Sequence, residues 1–526
     1  RHARPLPRAR PRHARRAPRA SSFSSPRAPG GLGPAEGDPQ RRRGRWFQFL
    51  HQRARGMAGK RGYARRRLPR PLDAAILLTW ALLTLLDLAM TAVLLVCGAA
   101  AAAARLAARA LFVGRRGNSH EEPSRVLVVG ASFAGLAAYR ELLGEEGVEV
   151  TLVDFKEYFE YTPGILRCYV TPSYLRQITC ALPAGAGGAG GGRFVCGEVT
   201  SVGEHEAEVT HADGKVSNLP FDYLLLCIGS TYAAPVKPSP RERTLVERQQ
   251  TWADAQRDLD KAEHIIVVGA GAVGVELVGE ILTVRPEKRV TLVDMNDTVL
   301  RGFEKGCVTH ADKWLRAKGA DLVLAERISA ITDTSVTLES GRVVRGDVVY
   351  RCTGWQPNTE LMKGSPLGAE LGFRDAVVVN DFLQVPGKPH IFALGDAMTH
   401  EGSKELKLGH TAEVNAHLAA KNVRRMLRRA SEPLLTAPLL TYPRGVTGAD
   451  LTPKIYCVSL GAYEATLAFN GLVISGFLAA LTKWLLEWTK VQAARARPIG
   501  VVFWIIADVV SNWLGGTLLP PKATLN

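Results

Sequence analysis

Paired cysteines, metal-ligand motifs and net charge in the folded body are all missing from this sequence. Its eight cysteines (Cys97, Cys168, Cys180, Cys196, Cys227, Cys307, Cys352 and Cys457) are never closer than 12 positions, so there is no CxxC. That excludes a zinc knuckle and a dithiol relay. So wide a scatter in 526 residues also argues against a disulfide framework. No HExxH or HxxxH accompanies His400, His410 and His417, which read as solvated or packing residues, with His410 nearest to function. No metal is expected. The formal charge of +17 is not a property of the body either. Of 67 Lys/Arg, 21 fall in residues 1–70, with only 2 of the 50 Asp/Glu, which leaves 46 basic against 48 acidic residues elsewhere. A body so nearly neutral offers no basic groove, and nucleic acid is not expected as a partner.

Residues 1–72 form a basic segment, rich in Arg, Pro and Ala, without the apolar periodicity of a core. The first methionine is Met57; translation is expected to begin there, with a basic nucleic-acid-binding arm as the alternative for residues 1–56. Within 73–113 lies an apolar run from Ala74 to Ala104, 31 residues with one charge, Asp87. A bilayer-crossing helix needs about 20 residues, so a retained transmembrane helix is expected. A cleaved targeting segment and a buried core helix are the alternatives.

From Arg125 the texture becomes that of a packed domain. Val126-Leu127-Val128-Val129 reads as a strand buried on both faces, followed by Gly130-Ala131-Ser132-Phe133-Ala134-Gly135 and a helical stretch from Leu136 to Leu143. A second strand ends in Asp154, 19 residues after Gly135. This is the βαβ dinucleotide fingerprint: the glycine turn brings backbone amides to a pyrophosphate, and the acid takes a ribose hydroxyl. Ser132 stands where the second glycine is expected. A complete copy follows in Gly269-Ala270-Gly271-Ala272-Val273-Gly274 after Ile265–Val268, with Asp294 closing the next strand 20 residues later. A carboxylate at Asp294 repels a 2′-phosphate, so NADH is favoured over NADPH. A third feature is the short strand Ile391–Leu394 ending in Gly395-Asp396, suited to a flavin's ribityl chain. Tyr223–Ile228 and Val348–Cys352, which end at Gly229 and at Thr353-Gly354, read as the crossings between two lobes.

With these motifs, with Phe159-Glu160-Tyr161-Thr162-Pro163 and with Val267–Glu280, the chain from Arg125 to Leu514 resembles the type II NADH dehydrogenases. It is nearest in texture to the branch related to apoptosis-inducing factor and the ferroptosis-suppressor-like flavoproteins. The resemblance implies an α/β fold with two Rossmann-like domains, the NAD(H)-binding domain (256–378) inserted into the FAD-binding domain (124–255 and 379–430). A C-terminal membrane-associated region (431–526) follows. It implies that Tyr161, Thr162 and Pro163 approach the flavin and that Glu276 lies near the nicotinamide. It also directs the N-terminus of a helix from Thr411 to Arg429 at the flavin, bringing Thr411 and Ala412 close. Family members carry glutamines beside the quinone; here the stretch reads His410-Thr411-Ala412-Glu413, with Glu413 in the glutamine's place.

The expected activity is transfer of hydride from NADH to the flavin, and of electrons onward to a membrane quinone. A reductase of a soluble acceptor and a redox-sensing flavoprotein are the alternatives. Towards the C-terminus, Ile474, Phe477, Leu478, Leu481, Leu485 and Trp488 recur at helical spacing, and Ile499–Leu514 forms a second apolar segment containing Asp508. Both are too short to span a bilayer and suit helices lying in its interface, with Trp484, Trp488, Phe503 and Trp504 touching lipid. The alternative is a packed or dimer-forming helix pair. A mitochondrial or other organelle membrane is the expected location, a cytoplasm-facing membrane the alternative.

Overall fold

The computed structural model describes residues 82, 85, 122–182, 192–233, 235–401, 406–431, 437–442, 455–495 and 497–517. All belong to the second of the chain's two units, Thr79–Asn526; the first, Arg1–Leu78, lies outside the described residues.

Strand β1 (Ser124–Val129) passes through the first glycine turn into helix α1 (Phe133–Leu142) and returns as β2 (Val148–Asp154). β1 lies inside a sheet, with β2 on one side and β4 (Tyr223–Leu226) on the other, all parallel; β3 (Gly192–Cys196) extends the sheet beyond β2. That position explains the unbroken apolar run, since Val126, Leu127, Val128 and Val129 are all buried. Strand β5 (Ser230–Tyr232) then leaves this sheet, and helix α2 (Leu245–Lys261) follows, opened by a capping box between Thr244 and Glu247.

The pattern repeats in β6 (His264–Val268), α3 (Ala272–Val284) and β7 (Arg289–Val293), joined by β8 (Asp321–Val323) and β9 (Val348–Arg351). The order β8-β7-β6-β9 is wholly parallel. Next, β10 (Trp355–Pro357) pairs antiparallel with β5, so the outgoing and returning crossings are stitched together. β11 (Gln384–Val385) and β12 (Lys388–Ala393) complete the first sheet, in the order β11-β12-β4-β1-β2-β3.

Helix α4 (Gly409–Ser431) starts two residues before, and ends two after, the helix expected from the sequence. It packs along α1, and its Arg424 pairs with Glu141 of α1 and with Glu145 just beyond it. The C-terminal region is a three-stranded antiparallel sheet, β13 (Ile455–Ser459), β14 (Ala465–Phe469) and β15 (Leu472–Ser475), followed by helices α5 (Phe477–Ala494) and α6 (Pro498–Thr517).

One expectation is corrected here. Ile474 does not begin a helical face; it lies in β15, because Gly476 adopts φ +100°, a left-handed conformation that turns the chain between strand and helix. The expected transmembrane run, Ala74–Ala104, lies outside the described residues apart from Leu82 and Leu85, both helical. The Gly-rich stretch Ala184–Gly192 also lies outside them, save for Gly192 at the start of β3. Among the described residues no helix is long and apolar enough to cross a membrane.

Candidate functional site: two glycine cradles and a reversed helix

The two glycine turns are built alike. Gly130 and Gly269 have φ +99° and +104°, and a Cβ on either would strike the main chain at Cys227 or Cys352. A Cβ on Gly135 or Gly274 would strike the carbonyl oxygen of Gly130 or Gly269, five residues earlier, so each helix lies against its own turn. Neither α1 nor α3 has a side-chain cap at its N-terminus, unlike α2, so their first-turn N–H groups are left for an anion. At Gly271 nothing lies within 4 Å of where a Cβ would stand. This is the open cradle a pyrophosphate fits. Ser132 takes the equivalent place before α1. Phe133 and Val273 are half-buried and Ala134 is buried.

The two strand-ending acids tie these turns in place. Ala131 N–H donates to Asp154 Oδ2 at 2.6 Å, and Ala270 N–H to Asp294 Oδ2 at 2.5 Å. Each has a helper that the sequence reading missed. Lys156 Nζ lies 3.0 Å from Asp154 Oδ2, and the Asn296 side chain donates to Asp294 Oδ1 at 2.7 Å. Both helpers sit two positions after their acid, and that shared spacing was a signal in the sequence.

Gly395 and Asp396 are held from several directions. Gly395 N–H donates to Asn415 Oδ1 on α4 at 3.0 Å, and Lys407 Nζ donates to the Gly395 carbonyl at 3.0 Å. A Cβ on Gly395 would stand 3.1 Å from the Ala412 Cβ, which makes Ala412 one wall of this cradle. Asp396 Oδ2 accepts from Ser230 Oγ at 2.6 Å and from Lys237 Nζ at 3.3 Å. Lys237, also missed from sequence, loses affinity for its proton through burial, which Asp396 opposes. Gly229, at φ +65°, has open space where a Cβ would be. Thr353 and Gly354 line a cavity of about 520 Å³ with Thr231, Tyr232, Trp355 and Arg374, beside the β5–β10 crossing.

Phe133 meets Phe159 and Tyr161 edge to face, at 5.6 and 5.8 Å between ring centres, so Tyr161, Thr162 and Pro163 stand at the first cradle. Burial, with Glu487 nearby, raises the Tyr161 hydroxyl well above the usual phenol range. Thr411 turns its hydroxyl to the loop before α4, within 2.7 and 2.8 Å of the Leu406 and Leu408 carbonyls.

Helix α5 is reversed. Lys483, Glu487 and Lys490, at i, i+4 and i+7, share one face, and that face points inward. Lys483 pairs with Glu276 of α3 and reaches Ser459 Oγ at 3.0 Å; Lys490 pairs with Glu413 of α4; Glu487 accepts from the Tyr174 hydroxyl. The Ser459 N–H also donates to Glu276 Oε1 at 2.9 Å. The apolar side chains Phe477, Leu478 and Leu481 face outward, Leu478 with 65% of its surface exposed. The residues expected on lipid therefore need correcting. Trp484 and Trp488 of α5, beside its inward charges, are half-buried, as are Phe503 and Trp504 of α6; Lys490 lies 3.5 Å from the Trp504 ring centre. Exposed instead are Leu478, Leu481, Ile506, Val509, Val510 and Trp513.

The sequence pattern described as pyridine nucleotide-disulphide oxidoreductase matches residues 124–416. The chain belongs to that family. It is similar to ferroptosis suppressor protein 1 of Xenopus tropicalis, 28% identical over 382 residues covering 69% of this chain and 94% of the relative. It is similar also to apoptosis-inducing factor homolog B of Dictyostelium discoideum, 25% identical over 326 residues, 57% of this chain and 81% of the relative. Among solved structures, NDH2 from Plasmodium falciparum in complex with NADH shares the fold with a TM-score of 0.56 at 12% identity, covering 76% of this chain and 99% of that one. The resemblance to type II NADH dehydrogenases and apoptosis-inducing-factor-related flavoproteins holds, and FAD and NAD(P)H are the cofactors.

The disulphide in this pyridine nucleotide-disulphide oxidoreductase's family name has no counterpart among the described residues, where all seven cysteines are free. Two of the three noted histidines bind carboxylates: His400 Nε2 lies 3.0 Å from Asp381, and His417 pairs with Glu141. One cluster not foreseen brings Glu204, His205 and His390 within 4.8 Å. The two imidazoles stack with 14° between planes, so their in-plane lone pairs run side by side without converging, and Lys388 already neutralises Glu204 at 2.9 Å.

Proposed function

We propose that this oxidoreductase works at a membrane surface, taking hydride from NADH and delivering the electrons to a quinone. The observation that carries the reading is the reversed helix α5. Its charged face closes on Glu276 of α3 and Glu413 of α4, while its apolar face and Ile506, Val509, Val510 and Trp513 of α6 are open to the outside. An apolar acceptor dissolved in lipid would reach the site along the same helix that meets the lipid.

When bound, FAD and the nicotinamide nucleotide supply a two-electron, hydride-transferring couple. The protein's part is positioning and exclusion of water. The amides of Ala131 and Ala270 are fixed by Asp154 and Asp294, which sets both cradles before a ligand arrives. A carboxylate closing the strand after the second glycine turn, as Asp294 does, would repel a 2′-phosphate, and this supports NADH over NADPH. Glu276, held by Lys483 and the Ser459 N–H, is positioned without freedom to swing. Lys237 and Ser230 hold Asp396 in the orientation a ribityl hydroxyl would meet. With no cysteine pair to relay electrons among the described residues, the acceptor takes them directly.

The test is anaerobic titration of the detergent-purified protein with NADH, followed by a short-chain ubiquinone, watching the flavin's visible absorbance. Bleaching by NADH and prompt recolouring by ubiquinone are expected. Bleaching without recolouring would overturn the quinone assignment.

A further inference from the structure

Reducing a quinone to a quinol with NADH consumes one proton beyond the hydride: NADH, H⁺ and quinone give NAD⁺ and quinol. The hydride brings two electrons and one proton, and the second O–H bond needs a proton from elsewhere. Resting on the quinone reading above, we infer that Glu487 holds this proton in its carboxyl group and releases it to the reduced acceptor. The Glu487 O–H bond breaks as the quinol's second O–H bond forms, and the carboxylate left behind is reprotonated from solution.

The geometry puts this carboxyl beside the segment that meets the first cradle. Oε1 accepts from the Tyr174 hydroxyl. Oε2 stands against Gly164, where any Cβ would collide with it, so glycine at 164 makes room for this oxygen. Gly164 follows Tyr161-Thr162-Pro163, the segment that meets Phe133 of the first glycine turn. Glu487 lies one helical turn from Lys483, which binds Glu276 of α3, and one turn from Lys490, which binds Glu413 of α4. It thus occupies the middle of the charged face that binds α3 and α4.

The groups facing Glu487 come from each neighbouring element. Tyr161, Arg167 and Tyr174 belong to the segment from Tyr161 to Tyr174, Glu280 to α3 and Lys483 to α5 itself. Arg167 is itself engaged: it binds Glu280 at 3.0 Å and lies 4.7 Å from the Tyr174 ring centre. Burial is the largest influence and raises Glu487 above the ordinary carboxyl range. The Tyr174 hydrogen bond, Arg167 and Lys483 pull the other way but do not outweigh it. The same two cations are placed to steady the carboxylate during the interval in which it is ionised.

The test uses the full chain with Glu487→Gln, which keeps the shape without a titratable proton, and with Tyr174→Phe. A carboxyl raised in the folded state stabilises the fold below its unfolded value and loses that contribution as pH rises through the folded one. The melting temperature of Glu487→Gln should therefore gain on the wild type as pH rises above 4.5, the ordinary carboxyl value. The ratio of ubiquinone to ferricyanide turnover, a protonated against an unprotonated product, should fall about 100-fold in Glu487→Gln. In the wild type that ratio should decline with rising pH. Tyr174→Phe removes a bond to the charged form and should move both wild-type profiles to higher pH. A difference in melting temperature that is flat with pH would overturn the held proton. A pH-dependent difference with an unchanged turnover ratio would overturn its delivery. No ubiquinone turnover by the wild type would overturn the quinone reading itself, whatever the melting curves give.

Discussion

Replacing Gly271 by alanine separates what the fold needs from what the ligand needs. Gly271 caps α3 at φ −74° and ψ −172°, a conformation alanine adopts freely, and a new methyl would have nothing within 4 Å to meet. The unfolded-state gain of about 0.4–1 kcal/mol is offset by alanine's poorer fit to the N-cap, so the variant should fold about as stably as the wild type. The methyl would, however, project into the space left for the diphosphate of NADH. Overpacking of that kind costs about 1–3 kcal/mol, which at 1.4 kcal/mol per factor of ten weakens NADH binding about 5- to 140-fold. Stability should thus hold while affinity falls. Chemical denaturation reads the first, and anaerobic NADH titration of the flavin absorbance reads the second. Flavin content should stay at the wild-type level, since the first turn is untouched. Unchanged NADH affinity would refute the placement of the diphosphate at this helix. Loss of flavin with NADH binding intact would show that the two cradles are assigned the wrong way round.

Arg248 is fully buried and bound to Glu160 at 2.7 Å and Glu242 at 2.9 Å, so Arg248→Met should cost about 3–5 kcal/mol by leaving two carboxylates without their cation; urea unfolding checks this. Asp396→Ala removes the acceptor that Ser230 and Lys237 hold in place, and the purified protein should be depleted of flavin by its visible spectrum. Replacing both Leu478 and Leu481 by aspartate puts charge on the outer face of α5, and co-sedimentation with lipid vesicles should drop while the melting temperature holds.

What the sequence made legible is local. Gly130 and Gly135, and again Gly269 and Gly274, are demanded by backbone contacts within a few residues or from the adjacent strand end, and the acids Asp154 and Asp294 follow at a fixed distance. Constraints of that kind leave a short pattern. The pairs that close the site leave none, because their partners are far apart in the chain: Lys483 is 207 residues from Glu276, Lys237 is 159 from Asp396, and Arg248 is 88 from Glu160. In the sequence, Lys483 and Lys490 look like cations flanking an apolar interfacial helix. Only the fold shows that they point inward, and that the tryptophans beside them turn inward with them. The strand at Leu472–Ser475 was hidden for a related reason: Ile474 fits a helical period by chance, and the break at Gly476 depends on a backbone angle that composition does not reveal.

Helix α5 binds α3 through Lys483 and α4 through Lys490, and those two helices belong to different lobes of the molecule. One helix therefore ties the lobe of the second glycine turn to that of the first at two points about seven residues apart. A hinge between the lobes would have to break at least one of these part-buried ion pairs. The spacing between α3 and α4 is thereby tied to a single helix, so a change in α5 reaches both lobes together.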